Sequence, residues 1–137
     1  MVEITSVYDG DLHCTATHGP SGVCLATDAP LDNQGRGASF SPTDLVATAL
    51  VTCMLTTMAL RARRESLAEL PGVRSRVEKH MTTEPPRRIA RLPVELELPG
   101  VTYGPEARAA LEHAAHTCPV RLSLEPAIEV PVRFVWT

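Results

Sequence analysis

Aromatic side chains are scarce in this chain. They make up 4% of its 137 residues, so a core has to be assembled from Val, Leu, Ala and Met. A strong charge of either sign is also missing. A formal net charge of -3 and a pI near 5.9 give no electrostatic reason to expect nucleic acid or an anionic membrane as a partner. There are no repeats, no low-complexity tract and no linker long enough to divide the chain, so residues 1–137 read as a single domain large enough to bury a substantial core. The most apolar stretch, Leu45 to Leu60, spans 16 residues and carries four threonines. A membrane span needs about 20 residues. The start, Met1-Val2-Glu3-Ile4, lacks a basic region followed by a long apolar run, so a soluble, cytoplasmic protein is expected. No Gly-x-Gly-x-x-Gly phosphate loop, Cys-x-x-Cys pair or His-Glu-x-x-His motif occurs, and neither a metal nor a cofactor is expected.

What is present is regularly punctuated. Ile4, Val7, Leu12, Cys14, Val23 and Leu25 sit among polar residues, with turn formers at Asp9-Gly10 and Gly19-Pro20-Ser21-Gly22. That pattern predicts a meander of short antiparallel strands. A loop rich in turn formers runs from Asp28 to Phe40. Ser41 then suits an N-cap, Pro42 the first helical position, and Asp44 the acid of a capping box. No further charge appears until Arg61, which predicts a buried helix with Arg61, Arg63 and Arg64 at its exposed C-terminal end. Leu70-Pro71-Gly72 ends this segment. Val73 to Thr83 and Ile89 to Leu98 read as strands joined through Glu84-Pro85-Pro86-Arg87, with Pro93 demoting part of the second to an edge or a bulge. Pro105 to His116 reads as a second helix with Ala107, Ala110, Leu111, Ala114 and Ala115 on one face. A short helical turn after Pro119 and a last strand from Val130 to Trp136 complete an α+β chain.

Of the four cysteines, Cys14 and Cys24 fall in expected strands and read as packing residues, which neighbouring strands could also bring together. Cys53 lies in the apolar middle of the long helix, where burial opposes ionisation. Cys118 lies just before Pro119, where the partial positive charge of a helix start favours the thiolate, the nucleophile of peroxide and disulfide chemistry. Taken singly, each of the four is more ordinarily a core residue, and spacing along the chain does not itself put Cys53 beside Cys118.

The segment from Asp28 through the Gly35-Arg36-Gly37 loop, Ser41-Pro42-Thr43-Asp44-Leu45 and on to Cys53-Met54 resembles the signature of the OsmC/Ohr family. So does Leu111-Glu-His-Ala-Ala-His-Thr-Cys118-Pro-Val-Arg-Leu-Ser-Leu124, with Pro86 to Pro99 between them and Phe134-Val-Trp136 at the close. The resemblance implies an intertwined α+β homodimer with strands of both chains wrapped around two central helices. It also implies a peroxidase in which Cys53 becomes a sulfenic acid, Cys118 condenses with it, and a thiol reductant, a lipoylated protein in some members, reopens the bond. The family holds its thiolate with an arginine and a carboxylate. Asp44 occupies the acid position of the general OsmC-like branch, while Thr43 stands where the hydroperoxide-resistance branch has its glutamate. Arg36 is the best candidate for the arginine. The alternatives are a purely capping Asp44 and an exposed loop arginine. A second functional reading is a non-catalytic redox sensor or hydrophobic-ligand-binding protein. His113 and His116 read as surface or dimer-contact residues, and Arg87 and Arg88 as a solvated turn.

Overall fold

The computed structural model describes residues 1–68, 70, 72–100 and 103–137, and these fall into two compact units, Met1–Val46 and Ala47–Thr137. The first unit is the meander that the alternation predicts: β1 (Ile4–Gly10), β2 (His13–His18) and β3 (Cys24–Asp28), antiparallel and in that order. Cys14 pairs with Thr27 and Cys24 with Thr17. Successive side chains alternate between the faces of a sheet, so Cys14 and Cys24 point to opposite faces. The expectation that neighbouring strands could bring them together is overturned by this register.

Asp28 ends β3 as a buried carboxylate. It accepts from Nδ1 of His13 at 2.7 Å and from the backbone N–H of Ala38 at 3.1 Å. The His13 hydrogen bond, with smaller help from Ala38 and the charge of Arg36, holds the Asp28 carboxyl below the usual carboxylate range against the opposing effect of burial. The loop that follows contains a 3-10 turn at Leu31–Asn33. At Gly35 a Cβ atom would lie 1.7 Å from the carbonyl oxygen of Ala29, so only glycine fits the close approach.

Helix α1 spans Pro42–Arg64. Its start is a reciprocal capping box: Asp44 N–H donates to Ser41 Oγ at 3.1 Å, and Ser41 N–H donates to the Asp44 carboxylate at 2.9 Å. By length and composition alone α1 could cross a membrane. Its buried residues Ala47, Leu50, Val51, Met54, Met58 and Ala62, spaced three and four apart, are the pattern of a core helix. Burial all round, as the uncharged run predicts, is not observed: Thr52, Thr56 and Leu60 are exposed on the chain. The hydroxyls of Thr52, Thr56 and Thr57 donate to the carbonyls of Thr48, Thr52 and Cys53, so these threonines add little free polarity to the helix surface.

In the second unit the two long expected strands are each broken in two, as β4 (Arg74–Val77) with β5 (His80–Met81), and β6 (Ile89–Arg91) with β7 (Val94–Leu98). Pro93 has no N–H to give a ladder, and the strand is interrupted there, the Pro93 carbonyl accepting from Glu78 N–H. β7 is central, antiparallel to β4 and parallel to β8 (Val132–Trp136), while β5 pairs with β6. Between β7 and β8 run α2 (Pro105–His116), with Leu111, Ala114 and Ala115 buried, and the short α3 (Pro119–Leu124). Pro71, expected to help stop the α1 segment, lies outside the described residues. The unit's buried apolar side chains come from α1, from Leu92, Val94, Leu96 and Leu98 around β7, and from α2, Cys118 and Val130. Trp136 fastens β8 to α2 by donating to Glu112 at 2.8 Å, with the Arg108 guanidinium 5.1 Å above its ring. Arg88 is not merely a solvated turn residue: its guanidinium donates to the carbonyls of Ile89 and Ala127, each at 3.1 Å.

Candidate functional site

The second unit brings together two side chains 65 positions apart in the sequence. Cys53, half-buried on α1, and Cys118, fully buried at the N-cap of α3, lie close enough for Cys53 to act on the ionisation of the Cys118 thiol. All four cysteines are free thiols. Local sequence explains each position. The turn of α1 around Cys53 is built from Ala49, Leu50, Val51 and Met54, with no charge nearby on the helix. Pro119 starts α3, leaving Cys118 as the cap, whose sulfur accepts the backbone N–H of Arg121 at 3.4 Å.

The electrostatics of Cys118 differ from the expectation that a helix start favours its thiolate. Burial pushes the Cys118 thiol up, and this outweighs the N–H groups of Arg121 and Val120, which pull it down. The neighbouring Cys53 thiol pushes it up further.

The polar candidates sit in the first unit. Asp44 stands nine residues before Cys53 on α1, engaged in the capping box. Arg36 is exposed on the loop, its charge acting on Asp28. His113 and His116 are exposed, and among the described residues no three His, Cys, Asp or Glu side chains cluster to hold a metal ion. His116 packs its edge against Phe134, ring centres 5.4 Å apart. Arg121 escaped the reading of the sequence. Its side chain is only 15% exposed and donates through Nε to Glu125 at 2.8 Å while Nη1 meets Nδ1 of His116. The i,i+4 spacing of Arg121 and Glu125 was the available signal. Clefts of about 300 Å³ (among them Arg76, Arg91 and Arg133) and about 410 Å³ (among them Arg121, Glu125 and Glu129) open on the second unit, and neither cysteine lines them.

An α+β chain with a buried capping cysteine near a cysteine on its long helix is a dithiol protein. A model of the OsmC-like protein family matches residues 35–133, which include both cysteines. The chain therefore belongs to the OsmC-like family. It is 36% identical to a Psychrobacter arcticus 273-4 protein, provisionally described as an osmotic stress induced and detoxification response protein. That similarity covers 98% of this chain and 96% of that one, with a TM-score of 0.88. The fold is shared with an organic hydroperoxide resistance protein OsmC from Legionella pneumophila, at 15% identity, 98% and 96% coverage and a TM-score of 0.78. It is shared as well with an organic hydroperoxide resistance protein from Elizabethkingia anophelis, at 16% identity, 100% and 96% coverage and a TM-score of 0.78. No curated protein matches the sequence.

Proposed function

We propose that this protein is a thiol-dependent peroxidase acting on organic hydroperoxides or hydrogen peroxide, working as a cytoplasmic homodimer. The observation that carries the reading is that the fold sets Cys53 near the buried Cys118. Two neighbouring thiols can close a disulfide, and Cys53, the less buried of the two, is the sulfur a peroxide reaches first.

In the proposed cycle the Cys53 thiolate attacks the outer peroxide oxygen. The O–O bond breaks, the alkoxide leaves as alcohol after taking a proton, and Cys53 becomes a sulfenic acid. Cys118 then attacks the Cys53 sulfur, its proton leaves with the hydroxide as water, and a disulfide forms. An external dithiol, a lipoylated protein being the candidate, reduces the disulfide and is itself oxidised. The uncharged α1 turn around Cys53 suits an organic peroxide better than hydrogen peroxide. Several OsmC-fold proteins are named for organic hydroperoxide resistance, which is consistent with this reading. Asp44 and Arg36 enter the proposal as the acid and arginine of the family pattern.

Stopped-flow consumption of cumene hydroperoxide with dihydrolipoamide tests the reading. Turnover is expected in the wild type and lost in Cys53→Ser. Cys118→Ser is expected to stop after one turnover with a dimedone-reactive sulfenic acid on Cys53. Asp44→Asn and Arg36→Gln are expected to slow the first step. A wild-type protein inert to peroxide removes the enzyme assignment. One observation favours the runner-up, a redox sensor or hydrophobic-ligand-binding protein: the Asp44 carboxylate is already occupied by the helix cap.

A further inference from the structure

Arg121 takes no part in the cycle above, yet its backbone N–H donates to the Cys118 sulfur. The Arg121 side chain is largely buried, an unusual place for a guanidinium unless it is paired. Its Nη1 contacts Nδ1 of His116, the last residue of α2, and its Nε donates to Glu125, the first residue beyond α3. One side chain thus spans the break at Thr117-Cys118, while the backbone N–H of the same residue donates to the Cys118 sulfur. Arginine has donors only and stays charged. Nδ1 of His116 must therefore accept, which fixes a neutral ring with its proton on Nε2. Partial desolvation of its ring first, then the Arg121 charge, hold the largely exposed His116 below the ordinary imidazole value. The charged and titratable groups facing it are Glu112 and His113 of α2, Arg121 of α3 and Glu125, and its fourth side meets the neutral ring of Phe134 on β8.

We propose that Arg121 is a positioning residue for Cys118: its bridge from His116 to Glu125 sets the turn between α2 and α3 so that the Cys118 sulfur stays aimed at Cys53. The inference deepens the proposed function and rests on the two cysteines forming a disulfide. It assigns Arg121 to the closing step, in which the S–S bond forms as the Cys53 S–O bond breaks, and not to the attack on peroxide. Closure must draw the sulfurs to about 2.05 Å, and misplacement by about 1 Å can cost a reaction of this kind about a hundredfold. Protonation of His116 removes the acceptor and sets two cations against each other, so the bridge opens in acid.

Closure can be followed apart from peroxide chemistry with diamide. One thiolate adds to its N=N bond, the second thiol displaces the hydrazine, and the pair passes two electrons to the reagent. Disulfide formation in the full chain is quenched with acid and quantified by mass spectrometry. Arg121→Gln is expected to close at least about tenfold more slowly than the wild type. Glu125→Gln should also be slower, and the double variant no slower than Arg121→Gln, because both remove one shared interaction. Sulfenic acid formation on Cys53 with cumene hydroperoxide should be unchanged. The ratio of wild-type to Arg121→Gln closure rates should approach one as pH falls through the His116 titration, the thiolate dependence cancelling in the ratio. Equal closure rates in folded wild type and Arg121→Gln overturn the proposal. If Arg121→Gln does not fold, Glu125→Gln carries the same comparison. Slowed diamide closure in a protein inert to peroxide supports the role of Arg121 while removing the peroxidase reading, and a wild type that does not close in diamide overturns both.

Discussion

Cys118 is held by two opposed fields. The first turn of α3 offers N–H groups that favour a thiolate, while complete burial favours the thiol, and burial prevails. The balance has measurable consequences. Thiolate absorbance, read as a difference titration against Cys118→Ser, should place the Cys118 midpoint above the ordinary thiol range. In Cys53→Ala that midpoint should fall, because the raising influence of Cys53 is lost, and should still remain above the ordinary value because burial persists. A midpoint unmoved by Cys53→Ala would mean that the sulfurs do not meet. The same shift sets a sign on stability. A thiol whose folded pKa is raised contributes fully below its unfolded value, and that stability is lost as pH climbs through the folded value. Tyr103, raised by burial, acts in the same direction at higher pH. The melting temperature of the reduced protein should therefore fall on the alkaline side, and Tyr103→Phe should flatten the upper part of that fall.

At the scale of elements, α1 depends on its cap. Its first turn satisfies two backbone N–H groups reciprocally through Ser41 and Asp44. Ser41→Ala should cost about 1 kcal/mol in urea unfolding while leaving peroxide turnover intact at temperatures where the protein is folded. Loss of turnover without loss of stability would assign Ser41 to the chemistry instead. This cap was legible because its signal is local: Ser-Pro-x-Asp supplies every atom within four residues. The 12-residue α2 was legible for the same reason, since its Ala and Leu face repeats at helical spacing. The breaks in the two long strands were only half visible. Pro93 announces one, whereas the gap between β4 and β5 follows from where Glu78 finds its acceptor, on Pro93, across the sheet.

Over the whole molecule, the chain leaves much apolar surface uncovered. Ile4, Val7, Tyr8, Val23 and Leu25 are exposed in the first unit. In the second, Thr52, Thr56 and Leu60 form a stripe on α1 free of charge, with the Thr52 and Thr56 hydroxyls turned back to the helix carbonyls. Exposed apolar patches of this kind mark interaction surfaces, and the proposed homodimer supplies a second copy as the cover. Sedimentation velocity should find a dimer at micromolar concentration. Thr56→Arg, which sets a buried charge into that stripe, should shift it to monomer and lower the melting temperature. A monomeric wild type would remove the dimer from the proposal.

Local pattern alone determined the α+β class, the capped central helix, the turn at Pro119 and the two cysteine contexts, because caps, turns and amphipathic faces are written in residues a few positions apart. Only the tertiary structure decided that Cys53 and Cys118 come near each other, that burial outweighs the helix start at Cys118, that Cys14 and Cys24 face apart, and that Arg121 bridges His116 and Glu125. Each of these depends on strand register, desolvation or side-chain reach between elements, and distance along the polymer carries none of that information.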